Sequence, residues 1–87
     1  MIVCNSYVVC KSYVVGQFIG YIGEEEYCLG DGSIWRITTP IYRIRRKQCP
    51  RATVFRKNAR YFFAVKGMGE DVEVEAVHLP RFMLETP

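Results

Sequence analysis

Apolar and polar residues alternate in short runs along this chain, and no stretch repeats apolar residues at the 3.6-residue spacing of a long helix. Residues 2–22, IVCNSYVVCKSYVVGQFIGYI, are those of strands, with an internal echo of SYVVCK (6–11) in SYVVGQ (12–17). The period of six is even, so equivalent side chains point the same way. Tyr7, Val9, Tyr13 and Val15 share one side, and Val8, Cys10 and Val14 the other. Both sides are apolar, which suits a strand covered on both faces or one that meets another subunit. The echo also leaves the pairing register weakly specified, since a six-residue slip changes little. Gly16, Gly20 and Gly23 follow and predict bulges or the corners of a bent sheet. Their spacing is not GxGxxG and no helix pattern follows them, which excludes a dinucleotide-binding loop.

Glu24, Glu25 and Glu26 form a solvated turn, and Gly30-Asp31-Gly32 is a hairpin signal. In the strand that starts at Ser33, Trp35, Ile37 and Thr39 face one way, with Arg36 and Thr38 opposite. Thr39-Pro40 predicts a bulge, an edge position or a break, because proline has no N–H to give to a ladder. Beyond it the apolar positions change parity to Tyr42 and Ile44, and straight-strand alternation sets Arg43, Arg45 and Lys47 on one face. A second hairpin turns around Lys57-Asn58-Ala59, where Asn58 tolerates positive φ. Turning on Asn58-Ala59 pairs Phe55 with Phe62 and Val54 with Phe63, but sets Lys57 against Arg60. Turning on Lys57-Asn58 pairs Phe55 with Arg60, and the sequence leaves both registers open. After a loop at Gly67–Asp71, Val72, Val74 and Ala76 point inward between Glu73 and Glu75. Leu79, Phe82 and Met83 behind Pro80 predict one C-terminal helical turn. The chain thus reads as a single all-β domain over residues 1–87. The expected fold is a small antiparallel barrel or strongly bent sheet, SH3-like or OB-like, with five to seven strands.

Charge sharpens this picture. The net charge of +3 conceals a division: residues 33–66 hold ten cations and no acid, while the rest carries Lys11 and Arg81 against nine acids. Either the acidic strands neutralise the basic ones across a sheet, or one face meets an anionic partner. Six rings, Trp35, Tyr42, Phe55, Tyr61, Phe62 and Phe63, are interleaved with these cations. Cations attract phosphates and flat rings stack on bases, so the stretch predicts nucleic-acid binding through residues 36–60. Arg36, Arg43, Arg45, Lys47, Arg56, Lys57 and Arg60 are the expected phosphate contacts, with Trp35 and Tyr42 as stacking platforms. A protein-binding adaptor or inhibitor acting through strand edges and exposed aromatics is the alternative. An RNase-like small basic barrel is a third class. Burial of the six rings discriminates among them, since buried rings leave only a charged face.

Apolar residues make up 49% of the 87 positions, more than one small core takes up, so a homo-oligomer is expected. The four cysteines form no CxxC pair. Cys4 and Cys10 on one extended strand stand about 20 Å apart, too far for a single zinc ion. Free thiols with no metal and no cofactor follow. His78 is the only histidine, so no catalytic triad assembles and no catalytic residue is assigned. Cys49, set among cations that lower a thiol pKa, is the one reactive-thiol candidate. Residues 1–9 lack a cationic leader and no run approaches about 18 apolar residues, which predicts a cytoplasmic protein with no membrane partner.

Overall fold

Pro40 marks the break at which the chain leaves one sheet for another. The computed structural model describes residues 6–81. They form β1 (Ser6–Tyr13), β2 (Gln17–Ile22), β3 (Glu26–Cys28), β4 (Ile34–Ile37), β5 (Tyr42–Gln48), β6 (Arg51–Lys57), β7 (Arg60–Val65) and β8 (Asp71–His78). Six strands make one antiparallel sheet in the order β1-β6-β7-β8-β4-β3, and β2 and β5 make a separate antiparallel ribbon. The all-β class stands, with eight strands in place of five to seven. The large sheet does not close into a barrel: β1 and β3 are its terminal strands, and among the described residues they meet only at one end, through the Val14–Leu29 bridge and the Gly30 N–H given to the Tyr13 carbonyl. The expected helical turn over residues 79–83 lies at and beyond the end of the described residues.

The β6–β7 hairpin turns on Asn58-Ala59, with Asn58 at φ 59° and Phe55 opposite Phe62. This register sets Val54 opposite Phe63, and both are completely buried. It leaves Lys57 facing Arg60 at the exposed tip. Core burial decides the register, since burying two large apolar side chains outweighs a like-charge contact screened by water.

The ribbon lies on the large sheet through β2. Phe18 and Tyr21 pack against Tyr27 and Phe63, with ring centroids 5.7–6.2 Å apart. Residues three apart on a regular strand point to opposite faces. Gly20, at φ 132°, kinks β2 so that both Phe18 and Tyr21 are buried. Two tyrosine hydroxyls fix the placement. Tyr21 Oη accepts from the Val65 N–H at 3.0 Å and donates to the Glu70 carbonyl at 2.8 Å. Tyr27 Oη donates to the Gly20 carbonyl at 2.5 Å and accepts from the Ile22 N–H at 3.2 Å. Beneath them Trp35 is fully buried and its Nε1–H donates to Ser33 Oγ at 2.9 Å.

Two alternation patterns give way to bulges. In β1 the register shifts between Val8 and Cys10. The second copy of the echo straddles the β1–β2 turn, where Gly16 takes φ 79° at the place Cys10 holds in the first. In β8, Ala76 is exposed rather than inward, because the pairing with β4 slips between Ile34 and Trp35.

Candidate nucleic-acid interface

Every residue of β5 is exposed except the half-buried Lys47. Among the described residues β5 pairs only with β2, so it rides on the outside of the ribbon. Phe18 stands opposite Lys47 and Gly20 opposite Ile44, which places both Arg45 and Arg46 against Ile19. The expected single face of Arg43, Arg45 and Lys47 is therefore broken by a bulge, and Arg46 joins the patch. Arg43 Nε pairs with Glu70 Oε2 at 2.7 Å. The Lys47 ammonium lies against Gly67 in the turn after β7. The neighbouring Lys66 N–H donates to the Arg51 carbonyl at 2.9 Å. One corner thus gathers Arg43, Arg45, Arg46, Lys47, Arg51 and Lys66, with Glu70 beside them.

The other predicted cations lie elsewhere. Arg56, Lys57 and Arg60 sit at the far end of the β6–β7 hairpin, about 20 Å from Arg51 at ~3.3 Å per residue. There the Arg56 guanidinium lies 5.4 Å from the Tyr61 ring centroid, a cation–π contact, and its Nε–H donates to the Asn58 carbonyl at 3.3 Å. Arg60 stands 3.9 Å from Glu73. Arg36 is held between Glu26 at 3.0 Å and Glu75 at 2.6 Å. Neutralisation across the sheet accordingly accounts for Arg36 and Arg60, and Glu70 adds Arg43. Arg45, Arg46, Lys47, Arg51 and Lys66 have no ion pair among the described residues.

The rings divide in the same way. Trp35 is buried and its indole N–H is satisfied, so it cannot stack on a base, and that expectation is corrected. Phe63 is buried too, while Tyr61 and the stacked pair Phe55–Phe62, 5.8 Å between centroids, are half-buried. Tyr42 alone of the six is fully in solvent, at 74% exposure, and it lies on the basic strand.

Sequence patterning overlooked a polar cluster on the inner side of the Gly30–Gly32 hairpin. Asp31 Oδ1 accepts from the Ser33 N–H at 2.9 Å and the Ser33 hydroxyl at 2.6 Å. Burial raises the Asp31 pKa, but the Ser33 hydrogen bonds outweigh it and hold the carboxyl below its ordinary range. Burial first, and then the Asp31 carboxylate, push the Cys10 thiol up to about 12. Burial likewise pushes Tyr21 up to about 12. The Asp-x-Ser spacing, which favours a side chain closing on its own turn, was the available signal. Cys10, Cys28 and Cys49 are free thiols, and Cys4 lies outside the described residues. Thiol alkylation at neutral pH is therefore expected to label exposed Cys28 and Cys49 quickly and Cys10 slowly. Groups whose folded pKa is raised stabilise the fold fully below their unfolded value. The urea midpoint should thus hold below about pH 9 and fall between about 9 and 12 as Cys10 and Tyr21 ionise. A midpoint flat across that window contradicts their burial.

Among the described residues no three His, Cys, Asp or Glu side chains are placed to hold a metal ion. His78 is exposed at the end of β8. No helix of the described residues is long and apolar enough to cross a membrane. Neither family models, nor curated proteins, nor solved structures yield a match to this chain.

Proposed function

We propose that the protein binds nucleic acid through β5 and the corner beside it. One observation carries this: an exposed strand without an acid supplies Arg45, Arg46 and Lys47, and Arg51 and Lys66 join them, all five without an ion pair among the described residues. Clustering like charges destabilises a small fold, and a phosphate backbone relieves the repulsion. The exposed Tyr42 ring in the same row favours nucleic acid over other polyanions, because bases offer it a stacking partner. Binding measured against salt tests this. If all five cations meet phosphates, log affinity should fall linearly in log salt with a slope of roughly −3.5 on single strands and −4.5 on duplex DNA. No binding at low salt overturns the proposal. Exposed Cys28 and Cys49 thiols suit a reducing cytoplasm, the address that accompanies this function.

A second reading concerns protein contacts. β1 is an edge of the large sheet up to Tyr13, whose carbonyl is taken by the Gly30 N–H; along the open part Tyr7 is 57% and Val8 50% exposed, and Lys11 is its only charge. Apolar, nearly uncharged edges are templates for strand addition. The β5 edge cannot serve for self-pairing, since its four cations would face four more. We propose that two copies pair through β1, antiparallel and with two-fold symmetry. Light scattering at micromolar concentration should give about twice the 10.1 kDa chain mass. A monomer at every concentration contradicts the pairing, and leaves β1 open to a different protein.

A further inference from the structure

We propose that β5 takes single-stranded nucleic acid, with one unstacked base seated in a recess beside Tyr42 and the Glu70 carboxylate. This rests on β5 being the nucleic-acid surface. The recess is a depression open to solvent, about 390 Å³, lined by Tyr42, Arg43, Ile44, Arg45, Met68 and Glu70. Its lining combines apolar, cationic and anionic groups. Tyr42 and Ile44 are exposed apolar surfaces, at 74% and 49%, and the half-buried Met68 packs against the core. Arg45 adds a cation with no acidic partner among the described residues. Glu70 is a carboxylate held in place by Arg43 at 2.7 Å. A duplex backbone needs the cations alone. It has no use for an exposed ring, because its bases are stacked on one another and reached only through a groove. A splayed strand uses both parts, its phosphates on Arg45 and Arg46 and a base face on Tyr42. The polarisable Met68 thioether suits an aromatic edge.

Glu70 adds selectivity. A carboxylate accepts and does not donate, so it favours bases that present an exocyclic amine, as cytosine does to Glu and Asp. Cytosine, adenine and guanine carry such an amine, whereas thymine and uracil do not. Cytosine and thymine are alike in size, which makes them the clean comparison.

The probes are oligonucleotides of about 12 residues, all-cytosine and all-thymine, and a duplex of the same length, titrated into the whole protein at low salt. Single strands should bind about tenfold or more tightly than the duplex. Tyr42→Ala should weaken the cytosine strand by about ten- to a hundredfold and leave the duplex within about twofold. The wild type should favour cytosine over thymine by about five- to tenfold, and Glu70→Gln should level the two. Both side chains lie at the surface, and an unchanged urea midpoint checks that each variant is folded. Equal affinity for single strand and duplex with no effect of Tyr42→Ala overturns the base recess, while the nucleic-acid function stands. Equal binding of cytosine and thymine strands overturns the role of Glu70. Failure of the wild type to bind any probe overturns the function itself and the recess with it.

Discussion

Gly20→Ala is expected to abolish folding, or to leave the protein destabilised by at least about 3 kcal/mol of the roughly 5–15 kcal/mol a small domain possesses. A Cβ on Gly20 overlaps the Arg43 carbonyl oxygen and lies 2.8 Å from Ile44 Cα and 2.9 Å from the Arg43 carbonyl carbon. These are backbone atoms of the partner strand, so no rotamer change relieves the clash. The φ of 132° adds strain that only glycine escapes. Two consequences follow for the chain above and below it. The kink that buries both Phe18 and Tyr21 is lost, and β5 loses the strand that carries it. Gly16→Ala is the control. It too has positive φ, 79°, but a Cβ there meets nothing within 4 Å, so about 1 kcal/mol is expected. Urea midpoints of the two variants decide the matter, and equal shifts would contradict the close approach of β2 and β5.

The second large effect concerns binding. Replacing Arg45, Arg46 and Lys47 together by alanine should weaken duplex affinity by about a hundred- to a thousandfold near 0.1 M salt. The estimate follows from counterion release: each lost contact removes about 0.9 of a log unit per decade of salt below 1 M. Three contacts therefore remove two to three log units. Stability should change little, because Arg45 and Arg46 are exposed and Lys47 covers only the Gly67 turn. A folded triple variant with wild-type affinity contradicts phosphate contacts on β5.

Much of the fold is legible in local chemistry. Pro40 ends a ladder because it lacks an N–H, and the chain does change sheets there. Asp31 marks the β3–β4 turn by its side chain and Asn58 the β6–β7 turn by its permitted φ. Burial follows from alternation where strands are straight, as at Trp35 and Ile37. What alternation cannot supply is the position of a bulge. The extra residue opposite Ile19 depends on how Gly20 meets Arg43 across the ribbon, a contact between positions 23 apart in the chain. Alternation alone therefore sets Arg43, Arg45 and Lys47 on one face, without Arg46. Trp35 is a related case. Its neighbours are cations in sequence, but its indole is claimed by the core and by Ser33, which no count of rings and charges reveals. The basic stretch is continuous in sequence, but the hairpin brings its two ends together in space and sets its tip away from them. Arg51 and Lys66 meet beside β5, whereas Lys57 and Arg60 meet at the opposite end.

That separation gives the sharpest test of β5 as the binding surface. The salt slope of nucleic-acid affinity should be measured for the wild type, for Arg45, Arg46 and Lys47 changed together to alanine, and for Arg56, Lys57 and Arg60 changed likewise. The two triple variants lose the same formal charge, one from β5 and one from the hairpin tip, which lies about 20 Å along β6 from Arg51. The β5 variant should flatten the slope by about two to three units, and the hairpin-tip variant by less than about one. A hairpin-tip variant that flattens the slope as much as the β5 variant, or more, would contradict the assignment of binding to β5.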